Sequence, residues 1–285
     1  MGDGKLTRRA FLKRTLAAGL GLGLAGAGCG TYARLLEPQW LDVEEVSVPL
    51  PRLPQALDGL TIAHLSDLHL GPYLGAAELA HAVEVVQRLS PQLVVITGDF
   101  VSRGGVWQRE ELLEPLAALQ PPLGTFAVLG NHDHWTDAGW VAATAERWGI
   151  TMLSNTARRL SDSASGLWLA GVDDIWVGAE DLERALTGIP EASCKLLLVH
   201  EPDFADKAAR SGIDLQLSGH SHGGQVRLPL IGAPLLPLWG RKYPIGLQRA
   251  QDTWVYTNRG LGVIEPPVRF NCRPEVTLLT LTRAA

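Results

Sequence analysis

Five short segments contain the residues whose types and spacing could do chemistry. Each places Asp, His or Asn at the end of an apolar run, where a rigid scaffold presents side chains to a shared cleft. The segments are 67–69 (DLH), 98–99 (GD), 130–133 (GNHD), His200 and 219–222 (GHSH). Carboxylates, an amide oxygen and imidazoles are ligands for hard and borderline metal ions. There are enough of them for two ions, which indicates metal-assisted hydrolysis.

The spacing within the segments supports this interpretation. Asp67 and His69 lie two positions apart just past a predicted strand, and His220 and His222 repeat that spacing between glycines. Since alternate residues of an extended segment point to the same side, each pair can reach one ion. Asp99 follows a Val/Ile-rich run and a glycine, and its carboxylate can bridge two cations.

The elements that must position these segments alternate between strand and helix over the first two thirds of the chain. Apolar runs predict strands at 43–48, 61–66, 93–97, 125–129, 167–172, 196–199, 213–217, 225–228, 254–257 and 276–281. Apolar spacing predicts helices at 76–89, 109–119, 139–148, 181–186 and 203–210. The alternation favours an α/β layered domain with polar loops gathered at strand ends.

The ordered segments together resemble the calcineurin-like metallophosphoesterases, whose signature is D-x-H, G-D, G-N-H-[DE], H and G-H-x-H. The resemblance covers about residues 58–282. It implies a four-layer α/β/β/α sandwich with a dinuclear centre on the strand-end loops. The predicted domain therefore spans residues 58–285, preceded by a spacer and first strand at 30–57 and a signal or anchor at 1–29.

The resemblance also implies a role for each matched residue. The expected metal ligands are Asp67, His69 and His222 for one ion, Asn131, His200 and His220 for the second, and Asp99 as the bridge. His132 would face the leaving group as an acid or hydrogen-bond donor. The two divalent ions would be Mn, Fe, Zn or Co, and the substrate would be a phosphate ester.

One position departs from the related phosphoprotein phosphatases, which continue G-D-x-V-D-R-G. Here Ser102 replaces the second Asp, which would orient the catalytic imidazole. A hydroxyl cannot supply that carboxylate to His132, and the change disfavours a protein phosphatase. Asp133 fits the last position of its motif and is not expected to bind metal.

The first 29 residues are predicted to be a targeting signal. Arg8 and Arg9 precede an apolar pair and a lysine, which resembles the twin-arginine export motif. The apolar stretch at 16–27 is short for a membrane span and typical of a signal. Three outcomes remain open: cleavage after the small residues 25–27, lipidation of Cys29, or retention as an anchor. The predicted location is the periplasm or cell envelope, with the export machinery as a partner and membrane association as a further expectation.

Charge and cysteine content narrow the function further. The net charge of −5 includes +4 from residues 1–29, so the body is at −9. Such an acidic body repels a phosphate backbone, which argues against nucleic-acid binding. Cys194 and Cys272 remain beyond the leader, and the sequence leaves their pairing open.

An apolar, proline-rich segment at 228–240 follows the last motif closely. It is either a lip that faces lipid or binds an acyl chain, or a buried loop that covers a sheet edge. The run 219–225 and the following Leu228 and Pro229 resemble exported bacterial phosphoesterases. That group includes enzymes similar to UDP-2,3-diacylglucosamine pyrophosphohydrolases, which act on lipids.

The leading hypothesis is an exported dinuclear-metal hydrolase that cleaves phosphodiester or pyrophosphate bonds in lipid-linked or cell-wall precursors. One alternative is a broad phosphomonoesterase or nucleotide phosphodiesterase. Another is a non-catalytic metal-binding envelope protein, although the ligand set has no gap. Five further residues are expected to have structural roles: His64, His81, His134, Arg259 and Arg269.

Overall fold

Two six-stranded sheets form the centre of the molecule, and the computed structural model describes residues 7–104, 109–161 and 166–284. The first sheet contains β1 (Asp42–Leu50), β2 (Leu60–Leu65), β3 (Leu93–Thr97), β4 (Thr125–Val128), β5 (Ile150–Met152) and β12 (Glu275–Arg283). The second contains β6 (Thr156–Arg159), β7 (Leu167–Gly171), β8 (Cys194–Leu198), β9 (Leu215–Ser218), β10 (Gly246–Ala250) and β11 (Thr253–Thr257).

Parallel pairing dominates both sheets. The first has the order β1-β12-β2-β3-β4-β5, and only its β12–β2 pair is antiparallel. The second has the order β10-β11-β9-β8-β7-β6, with antiparallel pairs at its two edges. Parallel strands have their carboxyl ends at one edge of a sheet, so the loops after β2, β3, β4, β8 and β9 can meet there.

The six α-helices are α1 (Arg8–Thr31), α2 (Ala76–Leu89), α3 (Asn131–Thr136), α4 (Ala138–Arg147), α5 (Leu182–Leu186) and α6 (Ala205–Arg210). Apolar cores within the described residues separate the layers. One packs α2 and α4 against the first sheet, and another lies between the two sheets. On the outer face of the second sheet, one cluster packs α5 and α6 against β7 and β8, and a smaller one packs α6 against β10 and β11. The predicted four-layer α/β/β/α arrangement is confirmed.

Several predicted elements differ from the observed ones. The strand predicted at 225–228 is wrong, since Val226 makes only a single bridge, to Phe270. The helix predicted at 109–119 is instead two short 3₁₀ segments, because Pro115 lacks an N–H and clashes with the preceding turn. The short strands β5, β6 and β10 were not predicted. In the case of β6, Arg158 and Arg159 are exposed on an edge strand and obscure the apolar pattern.

The amino-terminal helix α1 projects from the body with none of its residues buried. By length and composition the helical stretch from residue 8 to 39 is sufficient to cross a membrane, a property that signal sequences share. The predicted spacer at 30–42 packs onto the domain: the Ala33 carbonyl accepts the Arg269 amide at 2.8 Å, and Glu37 Oε1 accepts the Cys272 amide at 2.5 Å. The boundaries at residues 29 and 57 stay predictions.

The apolar segment 228–240 lies on the surface, so the buried-loop interpretation is wrong. Its exposed apolar side chains include Ile231, at 73% exposure, and Leu235, at 81%. Proline and glycine prevent a regular element, and the segment forms turns. All three cysteines are described and are free thiols, so Cys194 and Cys272 do not pair.

The buried guanidinium of Arg269 holds together the loop between β11 and β12. It is 0% exposed and donates to four carbonyls: those of Cys272 at 3.0 Å, Arg259 at 3.0 Å, Gly260 at 2.9 Å and Gly262 at 2.5 Å. An ammonium cannot reproduce this planar set of donors. We expect Arg269→Lys to lower the free energy of unfolding by about 2–4 kcal/mol, because buried carbonyls lose their partners.

Chemical denaturation measures that change. Arg88→Lys, on the exposed face of α2, is the matched control and should stay within about 0.5 kcal/mol of the parent protein. A similarly small effect for Arg269→Lys would show that the four hydrogen bonds do not stabilise the loop.

An ion pair connects the loops of the two sheets. His134 in α3, which follows β4, lies 2.7 Å from Asp173, which follows β7. The hydrogen bond that His134 donates to the Asp173 carboxylate raises the pKa of His134 above its usual 6.5. A raised histidine pKa stabilises the fold fully below pH 6.5, and this contribution is lost as the pH rises through the raised value.

The stability difference between the parent protein and His134→Asn should therefore be largest below pH 6.5 and shrink above the raised pKa. We expect about 0.5–1 kcal/mol, since solvent screens this half-buried pair. Unfolding measured across that pH range tests the expectation, with the exposed His81→Asn on α2 as the control. A difference that is constant with pH would contradict the assigned ion pair.

Candidate metal centre

Loops after five strands bring all seven predicted metal ligands to one place. The first sheet supplies Asp67 and His69 after β2, Asp99 after β3 and Asn131 after β4, and the second supplies His200 after β8 and His220 and His222 after β9. Every one of these residues is buried, with at most 6% exposure. The site therefore lies between the two sheets and exists only when both are folded.

Asp99 is at the centre of the group. Its Oδ2 lies 3.2 Å from His200 Nε2 and 3.4 Å from His69 Nε2. Its Oδ1 accepts the backbone N–H of His132 at 2.8 Å, which fixes the carboxylate at the start of α3. One carboxylate thus contacts side chains from both sheets, as expected of a bridging ligand.

Asp67 lies at the centre of a second group of contacts beside Asp99. Its Oδ1 lies 3.3 Å from His222 Nε2, and both of its oxygens accept the backbone N–H of His220, at 3.1 and 3.0 Å. The His69 and His222 rings are stacked with their centroids 4.8 Å apart, and their Nε2 atoms are separated by 3.0 Å. Asp67, His69 and His222 thus converge as the predicted ligand set of one ion.

The hydrogen bonds of His200 show that the site suits a cation. Its Nδ1 lies 2.6 Å from the Thr97 carbonyl, which can only accept, so Nδ1 carries the hydrogen. Nε2 faces the Asp99 and Asp67 carboxylates, 3.2 and 3.9 Å away. Burial opposes a charged ring, but the Asp99 and Asp67 carboxylates outweigh it and raise the pKa of His200 well above its usual 6.5. The position therefore favours positive charge, which a proton or a metal ion can supply.

His220 shows the same arrangement toward Asn131. The Leu238 carbonyl lies 2.8 Å from His220 Nε2 and assigns the hydrogen to that nitrogen. His220 Nδ1 is then a lone pair that faces the Asn131 Oδ1 acceptor at 3.0 Å. An oxygen and a nitrogen lone pair at this separation suit a metal ion, and metal-binding imidazoles usually donate their other N–H to a carbonyl that fixes the tautomer.

The pKa values follow from burial and from the two carboxylates. Burial lowers the pKa of His69 and of His220 to about 3, so both rings are neutral at neutral pH, which is the form that binds metal. Burial opposes the ionised Asp99, but the His200 and His132 imidazoles outweigh it and hold the pKa of Asp99 well below its usual value. Burial raises the pKa of Asp67 to about 6, and the Asp99 carboxylate adds to the shift.

The backbone at the site is strained. Five of the seven predicted ligands have left-handed backbone conformations: Asp67, His69, Asp99, His220 and His222, with φ between 44° and 66°. Such conformations cost roughly 1–2 kcal/mol for each residue with a Cβ. They persist because the surrounding strands fix the chain, and they direct side chains from tight turns into the shared site.

The motif glycines allow the loops to approach one another. A Cβ at Gly219 would overlap Ser66 Oγ and Asp67 Oδ2, and one at Gly130 would overlap Asp99 Oδ1. Gly98 has a φ of 89° and lies against the backbone of Gly130. A side chain at any of these positions would push the ligand loops apart.

Ser102 and Asp133 do not orient the predicted catalytic histidine. Ser102 Oγ donates to the His69 carbonyl at 2.9 Å, and Asp133 accepts the backbone N–H groups of Gly130 and Val101. Burial raises the pKa of Asp133 to about 8, with Asp99 adding to the shift. Within the described residues, His132 Nδ1 has no hydrogen-bond partner.

Two tryptophans at the site were not predicted from the sequence. The Trp135 ring lies 4.9 Å from the His132 ring, and the Trp176 ring lies 5.6 Å from the His220 ring. They contact each other edge to face at 5.6 Å and are 37% and 38% exposed. Trp135 is the second residue past the motif 130–133, but nothing in the local sequence indicates that Trp176 lies nearby.

The residues expected to have structural roles lie outside the ligand group. His64 is buried, with Nε2 2.8 Å from Thr97 Oγ1. Arg259 pairs with Glu275 and Glu44, at 2.5 and 2.8 Å.

Comparisons with known proteins agree with this geometry. The sequence profile of the calcineurin-like phosphoesterases matches residues 60–224. The chain is 36% identical to the uncharacterised metallophosphoesterase YkuE of Bacillus subtilis, over 97% of this chain and 98% of that protein. It is 31% identical to the phosphodiesterase YaeI of Escherichia coli, over 97% and 99%. It is 29% identical to the UDP-2,3-diacylglucosamine pyrophosphatase LpxG of Chlamydia trachomatis, over 87% and 91%.

The family uses divalent metals, and three groups of described residues could hold an ion: Asp67, His69 and His222; His69, Asp99 and His132; and Asp67, Asp99 and His200. The predictions of a metal-dependent phosphoesterase and of its family are confirmed. The chain belongs to the calcineurin-like phosphoesterase family.

Proposed function

We propose that the protein is an exported dinuclear-metal hydrolase that cleaves phosphodiester or pyrophosphate bonds in lipid-linked substrates at the cell envelope. The observation that carries the hydrolase proposal is the convergence of buried imidazoles, two carboxylates and an amide oxygen, with His200 and His220 facing Asp99, Asp67 and Asn131. Buried carboxylates at this separation require positive charge beside them, which divalent ions would supply.

The ion assignments are those that the family resemblance implies. Asp67, His69 and His222 would hold one ion, Asn131, His200 and His220 would hold the other, and the Asp99 carboxylate would serve both. When bound, two divalent ions supply an activated water and neutralise charge on the phosphoryl oxygens. The chain itself keeps the His69 and His220 imidazoles neutral and excludes bulk water, since all seven ligands are buried.

His132 is placed to donate a hydrogen bond or a proton to the leaving group. Its backbone is fixed by Asp99, and its half-buried ring lies 4.6 Å from the His69 ring, beside the ligand group. From there an imidazole N–H can donate to the departing oxygen. Since Ser102 does not contact the ring, orientation comes from packing against His69 and Trp135 rather than from a carboxylate.

The apolar segment, helix α1 and the similarity to one lipid-related enzyme support a lipid-linked substrate. The exposed apolar segment 228–240 contacts the site directly through the hydrogen bond from His220 to the Leu238 carbonyl. The helix α1 could serve as a signal or an anchor, and the twin arginines at its start favour export by the twin-arginine route. LpxG, by its name, acts on a diacylated sugar nucleotide, and its similarity extends over most of this chain.

A nucleotide phosphodiesterase is the second candidate. The observation in its favour is the pair of half-exposed rings, Trp135 and Trp176, at the edge of the site. Indole faces stack on nucleobases with useful energy, about 1–3 kcal/mol per base. Lipid-linked substrates with a nucleotide head group would use both features.

Substitution of the bridging carboxylate tests the two-metal proposal. Asp99→Asn should lower kcat for a bis-aryl phosphate by at least about a thousandfold, because the loss of a bridging charge weakens metal binding and charge neutralisation. Chelation should abolish activity, and Mn, Fe, Zn or Co should restore it, with metal content measured in parallel.

Asp252→Asn, at an exposed turn between β10 and β11, is the matched control and should retain full activity. If metal-loaded Asp99→Asn hydrolyses the bis-aryl phosphate as fast as the parent protein, the two-metal mechanism is wrong.

Substitutions at the tip of the apolar segment test the lipid-linked substrate. The double variant Leu230→Asn, Ile231→Ser removes two exposed side chains that we expect to enter the bilayer surface. Burial of such side chains is worth about 1.5–3 kcal/mol each. Hydrolysis of UDP-2,3-diacylglucosamine in vesicles should fall at least about tenfold, while hydrolysis of a bis-aryl phosphate stays unchanged. Equal losses on both substrates would contradict the lipid proposal.

A further inference from the structure

A groove runs beneath the apolar segment, next to the metal centre. It has a volume of about 320 Å³, at the lower end of the range for ligand pockets. One wall is formed by Leu235, Leu236 and Pro237 of the apolar segment. The opposite wall is formed by residues 264–268, which precede β12.

The Gln225 and Glu265 side chains of the groove already form hydrogen bonds within the protein. The Gln225 side chain donates to the carbonyls of Ile264 and Pro266, at 3.1 and 3.2 Å, and accepts the Ile264 amide at 2.7 Å. The exposed Glu265 carboxylate accepts the Tyr73 hydroxyl. The groove therefore offers apolar contact and few free hydrogen-bonding groups, which suits a hydrocarbon chain.

The groove adjoins the metal centre. Ser221 and His222 are among its lining residues, and His222 is one of the predicted metal ligands. If the phosphate of a substrate binds at the metals, the part of the substrate attached to that phosphate would lie near the groove.

The opposite wall also supports the end of α1. The Arg269 amide, one residue past Val268, donates to the Ala33 carbonyl at 2.8 Å, and the Tyr32 ring packs on Phe270 with centroids 6.4 Å apart. The apolar helix and the apolar segment therefore emerge on either side of one groove. This placement puts the groove where a membrane lipid can enter it.

We propose that this groove binds an acyl chain of the substrate, with the phosphate held at the metal centre. The inference rests on the proposed function, since it names the lipid part that the same site recognises. The occupant is a single hydrocarbon chain rather than a peptide or a second copy of the protein, because the walls present few free backbone or charged groups for recognition.

Binding of alkylphosphonates of increasing length tests the proposal. The head group is constant in butyl-, hexyl-, octyl- and decylphosphonate, so differences report the chain alone. For the metal-loaded full-length protein, calorimetry should show Kd falling about two- to fourfold for each added methylene until the groove is filled. The heat-capacity change should become more negative along the series. An affinity that is independent of chain length would overturn the proposal.

A variant that fills the groove supplies the second readout. Val268→Trp places a large side chain among the groove residues and should abolish the dependence on chain length. Val43→Trp, at an exposed position on β1 outside the groove, is the matched control and should keep it. If folded Val268→Trp keeps the dependence of Kd on chain length, the alkyl chain binds elsewhere and the proposal is wrong. If that variant does not fold, the chain-length series on the parent protein alone tests the proposal.

Two further outcomes distinguish the alternatives. A dimer in light scattering that Val268→Trp converts to a monomer would assign the groove to a second copy and overturn the proposal. Failure of bis-aryl phosphate hydrolysis with intact chain-length dependence would refute the proposed hydrolase and leave the acyl groove standing.

Discussion

The structure depends on the burial of two carboxylates, Asp67 and Asp99, in one site at the junction of the two sheets. Asp99 is 2% exposed and Asp67 is fully buried. Placing two anions together in a dry site is unfavourable unless positive charge compensates them. The surrounding imidazoles supply part of that charge in the free protein, and divalent ions suit the same positions. The loops, the glycines and the sheet edges are arranged around this requirement.

The backbone strain at the site results from bringing the ligand loops together around the two carboxylates. Left-handed residues such as Asp67 and His220 occur because the ligand loops must turn sharply and still direct side chains inward. Glycine at positions 98, 130 and 219 removes the Cβ atoms that would otherwise separate the loops. The rigid parallel strands on either side keep the loops in these conformations.

Apolar and aromatic residues surround the metal site. The apolar segment 228–240 and the end of α1 lie on either side of an apolar groove, and Trp135 and Trp176 lie at the edge of the metal site. Leu238 connects the apolar segment with the metal site. Its carbonyl fixes the tautomer of His220, while its side chain is exposed on the surface. Substrate recognition and metal binding therefore share one segment.

The sequence by itself determined the family, the fold class and the residues that gather at the metal centre, because their order and spacing at the ends of apolar runs are local properties. It could not determine how Trp176 meets His220, or that Leu238 bonds to it, since these contacts join residues distant in sequence. It also left open whether 228–240 is buried, because apolar composition suits both a core loop and a lipid-facing lip. Only the tertiary structure decided these points, because the stacking of the two sheets brings the distant loops together and determines which surfaces remain exposed.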